Sequence, residues 1–540
     1  MKIGLAQMHP VIGDMDGNIE KMVKTAADAR SQGCDLVIFS EMVISGYPSQ
    51  DLLKHKTYVQ ANLAALETLK NAVYGIGVIC GYVDWNVADA GAGRYNSAAL
   101  LSDGQMLGTV YKRLRTPADV FDDDRYFVSG TGNGLFTFRG KRIGITFWDP
   151  VWHERDGVFP DDTAAVRVDP DAELVVVLSA SPFAYGKDEI RQRLFSAAAA
   201  RHGVPLVYVN QVGGNDSVIF DGGSMAVAAD GTLAVRAGLF EEELLIWDMD
   251  AGARNLPSPV IEKEAAIFNA LSRGVRDYLF TCGFKKAVIG LSGGIDSALT
   301  AVIAADALGP EQVTTIFMPS RYTSQENYED AAALAANLGT PYEVVPIDDL
   351  YTVYMNALGL SEGDEGSLTC QNIQARIRGG ILMARSNQGF GMVLSTGNKS
   401  EVAVGYCTLY GDMCGGLSVI SDIYKTEVYA VSRYVNRHSA VIPARIIDKP
   451  PSAELKPNQT DQDDLPEYAV LDAVLKAYIE DDCQPDEIVA LGYGPDVVGD
   501  IIRRVNQSEH KRCQAAPGLQ VSARAFGLGR RYPVAQRWKG

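Results

Sequence analysis

The chain has 540 residues, long enough for two or more domains that each bury their own core. Hydrophobic residues make up 47% and charged residues 21%, an ordinary soluble composition. A formal net charge of −18 argues against general nucleic-acid binding, and no apolar run approaches the roughly 18 residues of a membrane span.

The opening MKIGLAQMHP lacks the basic-then-apolar layout of a signal peptide. Eight cysteines are scattered, with none between Cys80 and Cys282, which suggests reduced thiols and a cytoplasmic location over a disulfide framework. The C-terminal region is uneven in charge. Residues 461–487 are rich in Asp and Glu, whereas 503–539 carry nine Lys or Arg against one acid, Glu509. Two solvated segments would explain this, and so would a basic arm closing over an anionic ligand or a neighbouring subunit.

In chain order, the first 250 residues alternate helical patterns with strand candidates KIGLAQM, DLVIFSEM, GVICGYV, RIGITFW, ELVVVLSAS and PLVYVNQV. This alternation predicts α/β layers. The fourth strand sits in KRIGITFWDPVWHE (141–154) and ends on Phe147 and Trp148 before Asp149-Pro150 stops the pairing. Residues 251–261 read as a linker between a first domain, 1–250, and a second, 262–540. A helix is expected over 262–281, then strand AVIGLS, a glycine turn, helix SALTAVIAADAL and strand TTIFM.

The turn is the decisive motif. In KKAVIGLSGGIDSALTAVIAADALG (285–309) a strand runs into SGGIDS and straight on into a helix. Glycines let backbone approach phosphates, and the helix start offers unpaired N–H groups and a positive dipole end. No Gly-Lys pair closes the loop, so it is not a Walker loop. Asp296 within it suits a cation that bridges phosphates. A plain glycine turn capped by Asp296 is the structural alternative.

This run resembles the ATP pyrophosphatase family, and MPSRYTSQEN (318–327), QNIQARIRG (371–379), STGNKSEVAVGYCTLYGDM (395–413), KPPSAEL (449–455) and HKRCQAAPG (510–518) narrow the resemblance to the NAD synthetase family. Gln371 departs from it, where a glutamate usually precedes the asparagine. The resemblance implies a parallel-sheet α/β domain of the adenine nucleotide alpha-hydrolase-like type. It also implies ATP-dependent amidation of deamido-NAD through an adenylated intermediate, yielding NAD, AMP and pyrophosphate. A pyridine carboxylate resists ammonia because oxide would have to leave; AMP is a competent leaving group. By resemblance, Gly290, Leu291, Ser292, Gly293, Gly294, Ile295, Asp296, Ser297 and Thr396 hold ATP. Asn372, Arg376, Glu401, Asp412 and Lys511 contact deamido-NAD. Asp296 and Glu401, hard oxygen donors, hold Mg2+, and Lys425 faces phosphate. Asp296, Glu401 and Lys425 form the catalytic set. Alone, Glu401 could be a solvated helix-start acid and Lys425 a surface lysine. Within the wider pyrophosphatase family GMP or asparagine synthesis are alternatives, which the GNKSE and KPPSAEL strings argue against. A homo-oligomer, dimer or larger, is also implied.

The first half resembles the nitrilase-type glutaminase domain, an α-β-β-α sandwich that releases ammonia with a Glu base, a Lys oxyanion partner and a Cys nucleophile. LSASPFAYGKDEIR (178–191) and NQVGGNDSVIFDGGS (210–224) match its later strings. Glu41 and Lys112 stand at two of the three positions; as isolated residues they would be surface charges. The family run Gly-Val-x-Ile-Cys-Glu-Asp-x-Trp reads here from Gly144 to Trp152, which puts Trp148 at the cysteine position. Asp149 and Pro150 replace two acids, Asp123 replaces a glutamate, and a tyrosine is missing near Pro117-Ala118. The expectation is a degenerate glutaminase whose indole fills the glutamine pocket, and ammonia as nitrogen source. The alternatives are a glutamine-dependent enzyme with another nucleophile, such as a serine, and a nucleotide-binding pseudoenzyme.

Overall fold

The computed structural model describes the chain except residues 87–92, 115–121, 131–133, 149–167, 252–260, 365, 528 and 539–540. The expected linker therefore lies almost wholly outside the described residues, as do Asp149, Pro150, Trp152 and the Pro117-Ala118 region. The chain divides into two compact units, Met1–Val260 and Ile261–Gly540. Among the described residues no helix is long and apolar enough to cross a membrane.

Unit 1 contains strands β1 (Lys2–Gln7), β2 (Leu36–Ile38), β3 (Gly77–Asn86), β4 (Gly93–Ser102), β5 (Gln105–Tyr111), β6 (Gly134–Phe138) and β7 (Lys141–Phe147). They continue with β8 (Leu174–Ser179), β9 (Leu206–Asn210), β10 (Val212–Asn215), β11 (Val218–Asp221), β12 (Met225–Val227), β13 (Leu233–Arg236) and β14 (Glu243–Asp248). Its helices are α1 (Met15–Ser31), α2 (Lys56–Ala72) and α3 (Lys187–His202). Two six-stranded sheets form, in orders β14-β1-β2-β3-β4-β5 and β13-β12-β9-β8-β7-β6. Alternation along each strand sorts side chains between layers. Ile3, Leu5, Leu36 and Ile38 of one sheet meet Ile143, Ile145, Phe147, Val176 and Leu178 of the other. The intervening residues face helices: Val37 and Val78 lie with Met22 of α1 and Leu69 of α2, and Val175 and Val177 lie with Leu194 and Phe195 of α3. This is the expected α-β-β-α sandwich. β8, LVVVLS, is buried along its whole length because both its faces are covered.

Unit 2 is built on five parallel strands, β15 (Ala287–Leu291), β16 (Val313–Phe317), β17 (Tyr342–Val344), β18 (Met392–Ser395) and β19 (Leu417–Ser418), in order β17-β16-β15-β18-β19. Helices α4 (Lys263–Thr281), α5 (Ile295–Leu308), α6 (Gln325–Leu338), α7 (Asp348–Leu358) and α8 (Leu368–Arg385) precede the short α9 (Lys399–Val404). Then come α10 (Lys425–Val435), α11 (Ala444–Asp448), α12 (Tyr468–Ile479), α13 (Pro485–Ala490), α14 (Pro495–Gln507) and α15 (Glu509–Arg512). The chain leaves central β15 through α5 to β16 on one side and later returns to β18 on the other. Strand order reverses at β15, and such a switch point opens a crevice at the carboxyl ends of the strands.

Candidate functional site

The phosphate-type loop leaves β15 at that crevice. Gly293 sits at φ +81°, and a Cβ there would come within 2.7 Å of Asn327 Oδ1 on α6, so glycine is required twice over. Ser297 Oγ donates to the Gly294 carbonyl (3.0 Å), and Gly294 N–H donates to Ser292 Oγ (3.1 Å). α5 starts at Ile295, two residues before the expected start, so Asp296 lies in the first turn and Gly294 at the N-cap. Asp296 is therefore not the cap. Its Oδ1 accepts from Asn398 Nδ2 (2.9 Å) and its Oδ2 from Lys425 Nζ.

Lys425 begins α10 and is buried, so the surface-lysine alternative fails. Its ammonium also lies 3.4 Å from Glu401 Oε1 and 5.3 Å from the centre of the Tyr468 ring. Burial works against its charge, but Asp296 and Glu401 outweigh it and hold the amine protonated. Glu401 does stand at a helix start, in a reciprocal cap with Asn398. Burial, with Asp296 beside it, pushes its carboxyl up to about 8. Asp461 joins the cluster from the segment before α12, held by the Tyr468 hydroxyl (2.8 Å), and burial raises it also. Asp296 and Glu401 fit a hard divalent cation: two oxygen donors share one lysine, and Glu401 resists ionisation without added positive charge. Among the described residues no group of three or more His, Cys, Asp or Glu could hold a metal. Phosphate oxygens and water would complete the shell, as is usual for magnesium.

A second group converges on the loop 405–413. Thr408 Oγ1 donates to Asn372 Oδ1 (2.7 Å), Thr408 N–H to Asp412 Oδ1 (2.6 Å), and Arg376 Nε to the Leu409 carbonyl (3.2 Å). Asp412 reaches solvent, yet the dense protein around it pushes its carboxyl up to about 6. Lys511 donates to the carbonyls of Gly405 (2.7 Å) and Cys407 (2.8 Å). Part of the basic arm is thus engaged inward: Arg512 binds Glu509 and the Ala403 carbonyl, whereas Arg503, Arg531 and Arg537 are exposed and Arg524 pairs with Asp482 at the surface. Lys511, which the resemblance puts on the dinucleotide, is held by main-chain carbonyls in this structure. Thr396 follows β18 beside the phosphate loop. Gln371, the departure from the family pattern, donates to the Gly366 carbonyl (2.8 Å) and accepts from Gln459 (3.3 Å).

Asn398, Asp461 and Tyr468 were missed by the sequence reading. Only Asn398 carries a local signal, standing inside GNKSE three residues before Glu401.

In unit 1, Glu41 and Lys112 are buried and paired, not surface charges. Lys112 Nζ donates to Glu41 Oε1 (2.7 Å) and to Asp123 Oδ2 (2.9 Å), and Asn96 Nδ2 donates to Glu41 (2.6 Å). Asp123, though shorter than the glutamate it replaces, reaches the lysine and accepts from the Tyr47 hydroxyl (3.1 Å). Burial pushes Glu41 up while Lys112 pulls it back. Met42, next in the chain, holds φ +46°, a left-handed conformation rare for a side-chain residue.

Trp148 requires a correction. Its N–H extends the β7–β8 ladder to the Leu178 carbonyl (2.9 Å), but its ring turns to the helix side. It packs on Phe195 (5.0 Å between centroids) and Tyr208 (6.2 Å) in the cluster under α3. Ile143, Ile145 and Phe147 point to the inter-sheet core, so strand parity sends residue 148 the other way. The indole is core filling beneath a helix, packed on Phe195 and Tyr208 where a glutamine pocket filled by it was expected. Trp148→Ala is expected to destabilise unit 1 by about 3–5 kcal/mol, whereas Trp148→Phe should cost less, because it also removes a buried indole N–H that has no partner among the described residues. Urea unfolding monitored by circular dichroism measures both.

Comparison with known proteins agrees with this architecture. Residues 2–257 match the carbon-nitrogen hydrolase family and residues 267–515 the NAD synthase family. The chain is 44% identical to a glutamine-dependent NAD(+) synthetase of Synechocystis sp., over 99% of this chain and 98% of the relative. It is 42% identical to that of Acinetobacter baylyi, over 100% and 99%. A solved glutamine-dependent NAD+ synthetase from Acinetobacter baumannii, in complex with ADP, superposes with TM-score 0.75 at 39% identity, over 99% and 98% of the two chains. A carbon-nitrogen hydrolase sandwich and a parallel-sheet α/β unit, matched along their full length by such relatives, place the chain in the two-domain family of glutamine-dependent NAD(+) synthetases, ATP-using ligases that form a carbon–nitrogen bond.

Proposed function

We propose that this chain amidates deamido-NAD at the crevice of unit 2. A carboxylate oxygen of the nicotinate attacks the α-phosphorus of ATP, and the bond to the β-phosphate oxygen breaks to release pyrophosphate. Ammonia then attacks the acyl carbon of the adenylate, loses a proton, and AMP departs. The single observation that supports this reading is the meeting of Asp296, Glu401 and Lys425 at the mouth of the glycine loop.

The loop 290–297 with Thr396 cradles ATP, its amides and the α5 N-terminus facing phosphate. Lys425 carries a held positive charge to where negative charge grows on the leaving pyrophosphate. Asn372, Arg376, Glu401 and Asp412 hold the dinucleotide, and Lys511 acts through the loop 405–413. Asp296 and Glu401 would hold Mg2+, which supplies charge neutralisation at the phosphates.

A proton on Glu401 competes with a cation, so cation binding must release it. With Glu401 titrating at about 8, the sign is fixed. Affinity should rise with pH below 8 by at most about tenfold per unit and level off above. The check is the Mg2+ concentration giving half-maximal pyrophosphate release between pH 6.5 and 9, measured without any nitrogen donor. A flat profile would exclude Glu401 as a ligand.

The nitrogen donor admits two readings. The relatives are named glutamine-dependent, and the intact pairing of Glu41, Lys112 and Asp123 also supports glutamine as donor. That reading needs a nucleophile other than cysteine. Free ammonia is favoured by one specific feature of this chain: no cysteine lies between residues 81 and 281, and Trp148 stands where the resemblance puts the nucleophile. Indole offers neither a nucleophile nor a base.

A further inference from the structure

The α9 helix is six residues long, too short to hold its own position, yet it presents Asn398 and Glu401 to the cluster described above. What fixes it comes from the far end of the chain. Lys399, its first residue, is fully buried. Its ammonium donates to Glu480 (2.6 Å), to Ser522 Oγ (2.7 Å) and to the Arg524 carbonyl (2.9 Å), and pairs with Asp422 (3.0 Å). Asp422 in turn accepts from the N–H groups of Val521 and Ser522 and from the Ser522 hydroxyl, all at 2.8 Å. The same segment lies along the sheet edge: Ser418 of β19 donates to the Pro517 carbonyl (2.8 Å). A Cβ at Gly518 would come within 2.2 Å of Ser421 Oγ, so the approach is close.

The other end of α9 is held by the same stretch of chain. Arg512 donates to the Ala403 carbonyl (2.6 Å), and Lys511 to those of Gly405 and Cys407. Arg512 thus satisfies an unpaired carbonyl of the α9 C-terminus, and Lys511 holds the turn that follows it. Residues 511–524 therefore grip α9 at both ends, and the residues beside Lys399 in sequence touch the reacting region.

We propose that residues 511–524 are a strap that positions Asn398 and Glu401 for adenylation, with Lys399 as the positioning residue that locks it. The inference rests on the adenylation reading above for its catalytic consequence, though not for the grip itself. Ser522 offers the mildest test, because its removal orphans no charge. In the full chain, Ser522→Ala should lower kcat for pyrophosphate release about tenfold and leave KM for ATP within about twofold, since a small misplacement of α9 acts on the barrier and not on the phosphate loop. Ser522→Thr, which keeps the hydroxyl, should restore kcat. Hydrogen exchange over residues 398–405 should quicken in Ser522→Ala and in Lys399→Met. Should Lys399→Met fail to fold, the Ser522 pair decides alone. Unchanged kcat and exchange in Ser522→Ala would overturn the proposal, as would lost kcat that threonine does not restore. If the unaltered protein released no pyrophosphate, the adenylation reading would fall, and exchange over 398–405 would still uphold or overturn the strap.

Discussion

Asp296→Ala is expected to lower deamido-NAD-dependent pyrophosphate release by about two to three orders of magnitude or more, the scale of losing one charged group aimed at a developing anion. Two contacts meet in that side chain, with Asn398 and with the Lys425 it shares with Glu401, and in the mechanism proposed above it would also offer oxygen to a cation. The fold should survive. The turn is shaped by Gly293, Gly294 and the Ser292–Ser297 hydroxyl contact, none of which needs the carboxylate. Asp296→Asn is the sharper variant, because it keeps an acceptor for Asn398 while removing the charge. Far-ultraviolet circular dichroism and the unfolding midpoint verify folding, and a coupled pyrophosphate assay reads the chemistry. Release within about threefold of normal, well short of the loss a transition-state contact produces, would take Asp296 out of the site.

Ammonium chloride is expected to support NAD formation, increasingly as pH rises and free ammonia grows. On the free-ammonia reading, purified glutamine with an ammonia scavenger present gives no more than background. Glutamine-analogue electrophiles should leave unit 1 unlabelled in the full chain. Trp148→Cys alone should not create a glutaminase. A side chain at 148 on this backbone points beneath α3 toward Phe195 and Tyr208, and the vacated indole volume becomes a cavity. Robust turnover with scavenged glutamine, lost in Glu41→Ala, would instead carry the donor reading that the relatives' names favour. It would mean that another nucleophile serves the pair of Glu41 and Lys112.

Much of the α/β framework was readable because parallel strands buried on both faces are continuous apolar runs. KIGLAQ, LVVVLS and AVIGL needed no context to be recognised. DLVIFSEM was read too long: pairing in β2 stops at Ile38, and the chain then turns through Glu41 and the left-handed Met42 to build the buried pair. The meander strands β4 and β5 and the short β10 to β13 were not among the readings, since their pairing is set by partners and turns more than by their own patterns.

The sequence by itself determined the glycine loop with Asp296 inside it and the two-unit order, because backbone approach to phosphate demands particular residues at short, local spacings, whereas Glu401, Lys425, Glu41 and Lys112 stand out only through the family resemblance of the strings around them. The tertiary structure alone decided three things. Asp461 and Tyr468 reach Lys425 only because α12 packs against α9 and α10. Lys511 and Arg512 look outward in a charge count, yet they turn inward to the C-terminal end of α9, where main-chain carbonyls accept from them. Trp148 looked like a plug until strand parity sent its ring under α3. In each case the deciding contact joins residues distant in sequence or depends on which face of an element is covered, and chain order records neither.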